Sequence, residues 1–170
     1  MPTGPVGRHQ FVCQATMRNQ LLIVIGVLAG IALILLIGIR LVPRPNHLGV
    51  KDHRLAPCPK SPNCVSSQAS DRQHQLDPIS IAQGMGDPKT RRRQILQAQP
   101  GARIVQDTND YFHVEFRSRL LGFCDDVEFW IDTEHALIHF RSASRIGYSD
   151  LGVNRQRITT IRKAFVSLAK

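Results

Sequence analysis

Residues 21–39 read LLIVIGVLAGIALILLIGI, an uninterrupted apolar segment with no charged residue and no proline. The segment is hydrophobic on all sides, which excludes a surface helix with a single apolar face. At about 1.5 Å of rise per residue it spans roughly 28 Å as a helix, close to the hydrocarbon thickness of a bilayer. The sequence therefore predicts a transmembrane helix at 21–39, preceded by a cytoplasmic tail at 1–20 and followed by a linker at 40–50.

A cleaved signal peptide is the main alternative to a membrane anchor. Its apolar core is typically about 7–15 residues long and ends at a small-residue cleavage site, whereas residues 39–43 here read IRLVP. A lipoprotein signal would need a cysteine after the Leu-Ala-Gly at 28–30, where Ile31 stands. We therefore expect the membrane to be a partner of the chain through residues 21–39.

The arginines that flank this segment lie on both sides and do not fix its orientation, and either Met1 or Met17 is a candidate start. Cys58 and Cys64 are more informative, because they enclose a short loop with two prolines and an asparagine, which favours a tight turn. Their spacing is not that of redox or zinc pairs, so a disulfide is favoured over a metal site. Such a bond persists only in an oxidising compartment. We predict a single-pass inner-membrane protein whose domain faces the periplasm or the cell exterior.

Residues 51–170 are predicted to form a single α+β domain. Asp87-Pro88 is a helix start and Pro100-Gly101 a helix stop, which places a helix near 87–99. Alternating segments and turn residues predict a short strand near 78–82 and two hairpins, with strands at 102–107, 111–118, 126–132 and 136–142.

The last twenty residues show helical spacing of apolar side chains after Asn154, which is a candidate N-cap. Strands followed by a helix, without βαβ alternation, predict an antiparallel sheet of about four strands with helices packed on one face. Alternation along these strands assigns a polar set to the opposite face: His113, Glu115, Arg117, Glu128, His139 and Arg141. We interpret this face as solvated and crossed by ion pairs, with a ligand surface as the alternative.

Residues 141–157 join the last strand to the last helix and are the densest polar segment of the chain. Hydroxyls and guanidinium groups near a helix start can hold an anion such as a phosphate or a lipid headgroup. Alternatively, the same residues cap the helix and pair with Asp125 or Asp126. The candidate ligand-binding residues are Arg117, Arg141, Ser144, Arg145, Tyr148, Ser149, Asn154 and Arg155.

A catalytic alternative uses side chains of the same region. His139, Asp150 and either Ser144 or Ser149 supply the residue types of a hydrolytic triad, although the chain has no G-x-S-x-G motif. No third ligand accompanies His113 and His139 at a recognisable spacing, so no metal and no cofactor are predicted. Cys13 and Cys124 are interpreted as unpaired thiols.

The net charge of +9 does not indicate a nucleic-acid partner once it is located along the chain. Residues 1–46 hold four arginines and no acidic side chain around the apolar segment. Residues 106–150 carry nine acidic and four basic side chains, whereas residues 151–170 carry five basic ones and no acidic one. The basic balance is therefore explained by a membrane anchor and by charge pairing within the domain.

Three motifs in order resemble a widespread bacterial family that is catalogued only as a domain of unknown function. They are CPKSPNCVSS at 58–67, FRSRLLGFCDDVEF at 116–129 and RSASRIGYSDLGVNRQR at 141–157. The resemblance covers roughly residues 47–168 and departs from the family at Cys124, where an apolar residue is expected. It implies an exported or membrane-anchored envelope protein, but neither an activity nor catalytic residues.

We therefore expect a membrane-anchored envelope protein with a non-catalytic domain that binds an anionic ligand, a lipid headgroup or an envelope protein. A small hydrolase or transferase that uses the serine, histidine and aspartate near the last strand–helix junction is the alternative.

Overall fold

A single long helix, α1 (Pro5–Arg40), contains the apolar segment of the chain. The computed structural model describes residues 5–81 and 88–167, and it divides the chain into two units, Met1–Leu41 and Val42–Lys170. Within α1, the segment Met17–Arg40 has a mean hydropathy of 3.2, and none of it is buried against the protein. By length and composition this helix is able to cross a membrane, as the apolar segment predicts.

The second unit is built on antiparallel strands followed by a helix. Its elements are β1 (Val50–Lys51), β2 (Arg54–Leu55), β3 (Cys64–Ser66), β4 (Ile79–Ser80), α2 (Pro88–Gln97), β5 (Ala102–Asp107), β6 (Tyr111–Arg117), β7 (Cys124–Asp132), β8 (Leu137–Ser144) and α3 (Val153–Ser167). Both predicted hairpins are present, as β5–β6 and β7–β8. Asp87 and Leu168, on which the helix predictions partly rest, lie outside the described residues.

The main sheet has six strands rather than the predicted four. Its order is β3-β8-β7-β6-β5, and β4 pairs with β8 beside β3. The two additional strands hold only three and two residues, and both pair antiparallel with the outer edge of β8. β4 is the short strand that the sequence predicts near 78–82, whereas β3 lies in a segment without regular alternation, so its backbone pairing follows from tertiary contacts rather than from a local pattern.

The hydrophobic core lies between one face of this sheet and the two helices of the unit. Phe112 and Phe129 stack across β6 and β7 with ring centroids 4.6 Å apart. Leu96 of α2 and Ile161 of α3 belong to the same buried cluster. The apolar set that alternation assigns to this face is therefore the set that the helices cover.

The opposite face is also buried, in contrast to the solvated surface expected from its polar side chains. Residues 42–57 approach it: Gly49 donates its backbone N–H to Glu128, at 2.7 Å, and Arg44 contacts Glu115. Leu55 packs in a second small cluster with Tyr111 and Trp130. We call residues 42–57 the covering segment. The polar side chains of this strand face therefore form a network of paired charges beneath the covering segment.

Candidate functional site

The charged side chains of this face form a network that we call the polar face network. It consists of Tyr111, His113, Glu115, Asp126, Glu128, Arg141 and Arg145. Strand register explains the assembly, because Glu115 pairs with Asp126 and Glu128 pairs with Arg141 on neighbouring strands. Cross-strand neighbours on one face lie within side-chain reach.

Arg145 is the cation that joins two of the carboxylates. Its Nε donates to Asp126 Oδ2 at 2.8 Å, and its Nη2 donates to Glu115 Oε1 at 2.6 Å. Burial opposes ionisation of Asp126, but hydrogen bonds from Arg145 and His113 outweigh it and lower the pKa of Asp126 to about 2. Burial likewise opposes ionisation of Glu115, and the hydrogen bond from Arg145 still lowers its pKa. Both carboxylates are therefore ionised at neutral pH.

Glu128 is fully buried and collects the donors of the other half of the network. Its Oε1 accepts the Tyr111 hydroxyl at 2.9 Å and the Gly49 N–H at 2.7 Å. Its Oε2 accepts only Arg141 Nη1, at 3.4 Å, within the described part of the chain. Burial, together with the negative charge of Glu128, raises the pKa of Tyr111, which therefore stays a hydroxyl donor.

A cavity of about 510 Å³ adjoins this network, with Asp126, Arg141 and Arg145 in its wall. The other wall is largely apolar and belongs to the covering segment and the disulfide loop: Pro45, Ala56, Pro57 and Pro59. The side chain of Arg141 is 5% exposed, and its buried Nε finds no hydrogen-bond partner in the part of the chain that the structure describes. A buried guanidinium short of acceptors beside a cavity is suited to binding an anion.

A second cavity, of about 660 Å³, lies between residues 47–58 and 66–71. The charged side chains in its wall, such as Lys51, Arg54 and Asp71, lie on exposed residues. It therefore lacks the buried, incompletely paired group that distinguishes the Arg141 cavity.

The predicted ligand-binding residues are divided between several places. Arg141, Ser144 and Arg145 line the cavity. Arg117 is half-exposed and lies 3.6 Å from Glu115, at the margin of the network. Tyr148 and Ser149 are exposed on the loop that follows β8.

Asn154 and Arg155 take structural roles on the helical side of the sheet. Asn154 is buried, and its Nδ2 donates to the carbonyl of Asn63, which attaches α3 to the residue directly before β3. It is not the N-cap that the sequence predicts, because α3 begins at Val153 and Asp150 Oδ2 accepts the Asn154 N–H at 2.7 Å. Arg155 donates to the backbone carbonyls of Gln73 and Gln75.

The residues of the catalytic alternative do not come together. His139 Nδ1 lies 3.1 Å from the hydroxyl of Ser67. Ser144 lies five residues further along β8, about 16 Å at strand rise, and donates to Asp125. The Ser67 hydroxyl donates to the Phe140 carbonyl and accepts the Phe140 N–H. These bonds are typical of a hydroxyl that completes strand pairing rather than of a nucleophile. Burial lowers the pKa of His139.

Three of the four cysteines can be compared with the prediction, and these three agree with it. Cys58 and Cys64 form a disulfide with a Cα–Cα distance of 5.7 Å. Cys124 is a buried free thiol, and burial raises its pKa to about 11, which makes it a poor nucleophile. The side chain of Cys13 lies outside the described residues.

Two groups of side chains have the composition of a metal site. Glu115, Cys124 and Asp126 lie close together, but the guanidinium of Arg145 already occupies the carboxylates that a cation would need. Asp132, Glu134 and His135 form a turn in which Asp132 caps the backbone and contacts His135 at 2.8 Å. A hydrogen bond with Asp132 raises the pKa of His135. In both groups of the described chain, carboxylate oxygens that a cation would need are therefore already engaged by neighbouring donors.

Alternation along the strands predicts the polar face but not the segment of residues 42–57 that covers it. Asp126, Tyr111 and Gly49 contribute to the network and were not among the predicted site residues. Alternation places Asp126 and Tyr111 on the polar face, which is a usable signal. No sequence pattern in residues 42–57 indicates that these residues cover the polar face.

Comparison with known proteins identifies a family. The model of a family described as a protein of unknown function (DUF1499) matches residues 54–165. No curated protein and no solved structure matches the chain.

Proposed function

The chain belongs to the DUF1499 family, and we propose that it is a membrane-anchored protein whose domain lies outside the cytoplasm and binds an anionic ligand in the Arg141 cavity. The anchor is the helix segment Met17–Arg40. The Cys58–Cys64 disulfide supports a location outside the cytoplasm, since such bonds persist in oxidising compartments.

The observation that carries the ligand proposal is the incomplete pairing of Arg141. A guanidinium carries five N–H donors, and the described residues supply this one with a single acceptor at 3.4 Å. An unsatisfied buried donor costs about 1–3 kcal/mol. A phosphate or carboxylate oxygen in the cavity would recover that cost through charge-assisted hydrogen bonds.

The charge around the network also favours an anion. Three carboxylates belong to it, whereas five arginines contact them: Arg44, Arg103, Arg117, Arg141 and Arg145. Three of these arginines are partly exposed around Glu115, whereas Arg141 and Arg145 line the cavity together with a single carboxylate, Asp126. The cavity wall therefore carries a surplus of positive charge that attracts a negative ligand.

The apolar wall of the cavity narrows the chemistry of the ligand. Three prolines and an alanine face the charged wall, and a cavity of this size accommodates a small molecule. An anionic group attached to a short apolar portion fits both walls, which describes a phospholipid headgroup with the first carbons of its acyl chains better than a free inorganic ion. An envelope protein that presents a carboxylate is the competing partner.

Isothermal titration of the full chain in non-ionic micelles tests this proposal, with inorganic phosphate and dihexanoyl phosphatidic acid as separate probes. Arg141→Lys keeps the charge beside Glu128 but removes the Nε donor. We expect it to weaken binding of phosphatidic acid about tenfold, which corresponds to one charge-assisted hydrogen bond. Arg155→Lys is the matched control and should leave the affinity unchanged, since the bonds of Arg155 within residues 5–81 and 88–167 go to backbone carbonyls outside the cavity.

The two probes separate the sources of the anionic group. Binding of phosphatidic acid without phosphate indicates a lipid headgroup, and binding of both indicates a free oxyanion site. Equal loss of affinity in the two lysine variants, or binding of neither probe, contradicts the proposal.

A further inference from the structure

A group of exposed apolar side chains lies in two loops of the domain that the ligand cavity does not involve. Leu120, in the loop between β6 and β7, is 86% exposed, and Leu121 beside it is 46% exposed. Tyr148 and Leu151, in the loop between β8 and α3, are 76% and 94% exposed. Single exposed apolar residues are ordinary, but several in neighbouring loops are typical of an interaction surface. We call residues 118–123 and 146–152 the docking loops.

The docking loops leave the same end of the sheet. Arg117 and Cys124, which bound the first loop, are paired in the β6–β7 register. The backbone N–H of Arg145, just before the second loop, donates to the carbonyl of Cys124 at 3.0 Å. The other hairpin turns, at 108–110 and 133–136, lie at the opposite end.

The start of the second unit is fixed at this same end. Arg145 Nη1 donates to the carbonyl of Val42 at 3.2 Å. Val42 follows Arg40, the last residue of the membrane-crossing candidate, by two positions. Two residues extend at most about 7 Å, so this end of the sheet is tied close to the point at which the chain leaves the bilayer.

Charge favours a lipid surface as the occupant. Arg119 directly precedes the two leucines, and the first docking loop contains no acidic residue. The second loop holds one, Asp150, whose carboxylate accepts the backbone N–H groups of Gly152 and Asn154. Basic side chains are attracted to an anionic membrane surface, and apolar side chains add to this attraction by entering the boundary between headgroups and acyl chains. A second protein would not explain why the patch lies at the end of the sheet to which the first residue of the domain is bonded.

We propose that the docking loops insert into the surface of the same bilayer that holds the anchor, with Leu120 and Leu151 as the deepest side chains. The domain then rests against the membrane instead of moving freely at the end of a linker. The inference requires the membrane anchor but does not depend on a ligand in the Arg141 cavity.

Quenching by brominated lipids tests this proposal on the full chain. The protein is reconstituted in vesicles of phosphatidylglycerol and phosphatidylcholine brominated on the acyl chains near the headgroup. Leu120→Trp and Leu151→Trp place a reporter in each loop, and Glu134→Trp places one in the exposed turn at the opposite end of the sheet. The native Trp130 is buried and supplies a constant background.

Brominated lipids should reduce the added emission of both loop variants about twofold, as for side chains at the headgroup boundary, and leave that of Glu134→Trp unchanged. The proposal is overturned if brominated lipids quench the added emission of the loop variants no more than that of Glu134→Trp. Resistance of the protein to extraction by carbonate verifies the anchor separately, and retention of the disulfide on non-reducing gels verifies folding. A loss of quenching caused by failed insertion or by misfolding is thereby distinguished from a negative result.

Discussion

Arg145 is the residue that holds the polar face network together. One buried guanidinium contacts two carboxylates on neighbouring strands and the carbonyl of Val42. Removing one partner of a buried pair leaves an uncompensated charge, which is much more costly than the loss of an exposed pair. The sequence predicts Arg145 as a ligand-binding residue, whereas the contacts indicate that most of its donors are committed to the fold.

Arg145→Ala should therefore lower the free energy of unfolding by about 3–5 kcal/mol, because Glu115 and Asp126 stay buried without their cation. Chemical denaturation in micelles measures this change. Arg103→Ala is the matched control, since Arg103 also contacts Glu115 but is largely exposed, and its loss should cost less than about 1 kcal/mol. Similar losses in the two variants would contradict the structural role of Arg145.

The network also predicts how stability depends on pH. The pKa of Asp126 is about 2 in the folded protein against 3.8 normally, so folding favours the ionised carboxylate. Its contribution is fully present above about pH 4 and is lost as the pH falls towards 2. Asp126→Asn should reduce the number of protons taken up on acid unfolding by about one, as measured by stability curves between these pH values. An unchanged slope would indicate that Asp126 is solvated.

Among the elements, strands whose polar and apolar residues alternate are predictable from the sequence. Strands and burial that depend on contacts with distant residues are not. Strands β5 to β8 alternate over six to nine residues, and their faces and hairpins follow from that pattern. Strand β3 has no such pattern, since its pairing with β8 depends on the disulfide loop and on Asn154. The burial of Glu128 likewise depends on Gly49, which is 79 positions away.

The disulfide loop is an element whose contribution is predictable from its length. Cys58 and Cys64 are six positions apart, and closing so short a loop stabilises by about 2–2.5 kcal/mol through the unfolded state. The double variant Cys58→Ala, Cys64→Ala should lose that amount in chemical denaturation. The wild-type protein under reducing conditions is the control and should lose a similar amount. A loss confined to the double variant would mean that the cysteine side chains matter for packing rather than for the bond.

For the whole molecule, the arrangement of anchor and disulfide predicts the orientation in the membrane. α3 ends at Ser167, so a reporter fused after residue 170 lies on the side of the domain. A C-terminal alkaline phosphatase fusion should be active and a C-terminal fusion to a fluorescent protein that matures only in the cytoplasm should be dark. The reverse result would place the domain in the cytoplasm and would leave the Cys58–Cys64 bond without an oxidising environment.

The proposed function depends on whether the guanidinium of Arg141 accepts an anion in its cavity. Nuclear magnetic resonance of the arginine Nε–H groups of the full chain in micelles observes that group directly, and Arg141→Lys assigns its signal by deletion. On titration with dihexanoyl phosphatidic acid, the Arg141 Nε–H resonance should shift progressively to saturation while that of Arg155 stays in place. An Arg141 resonance that does not move at saturating ligand, or that moves no more than that of Arg155, would contradict the account.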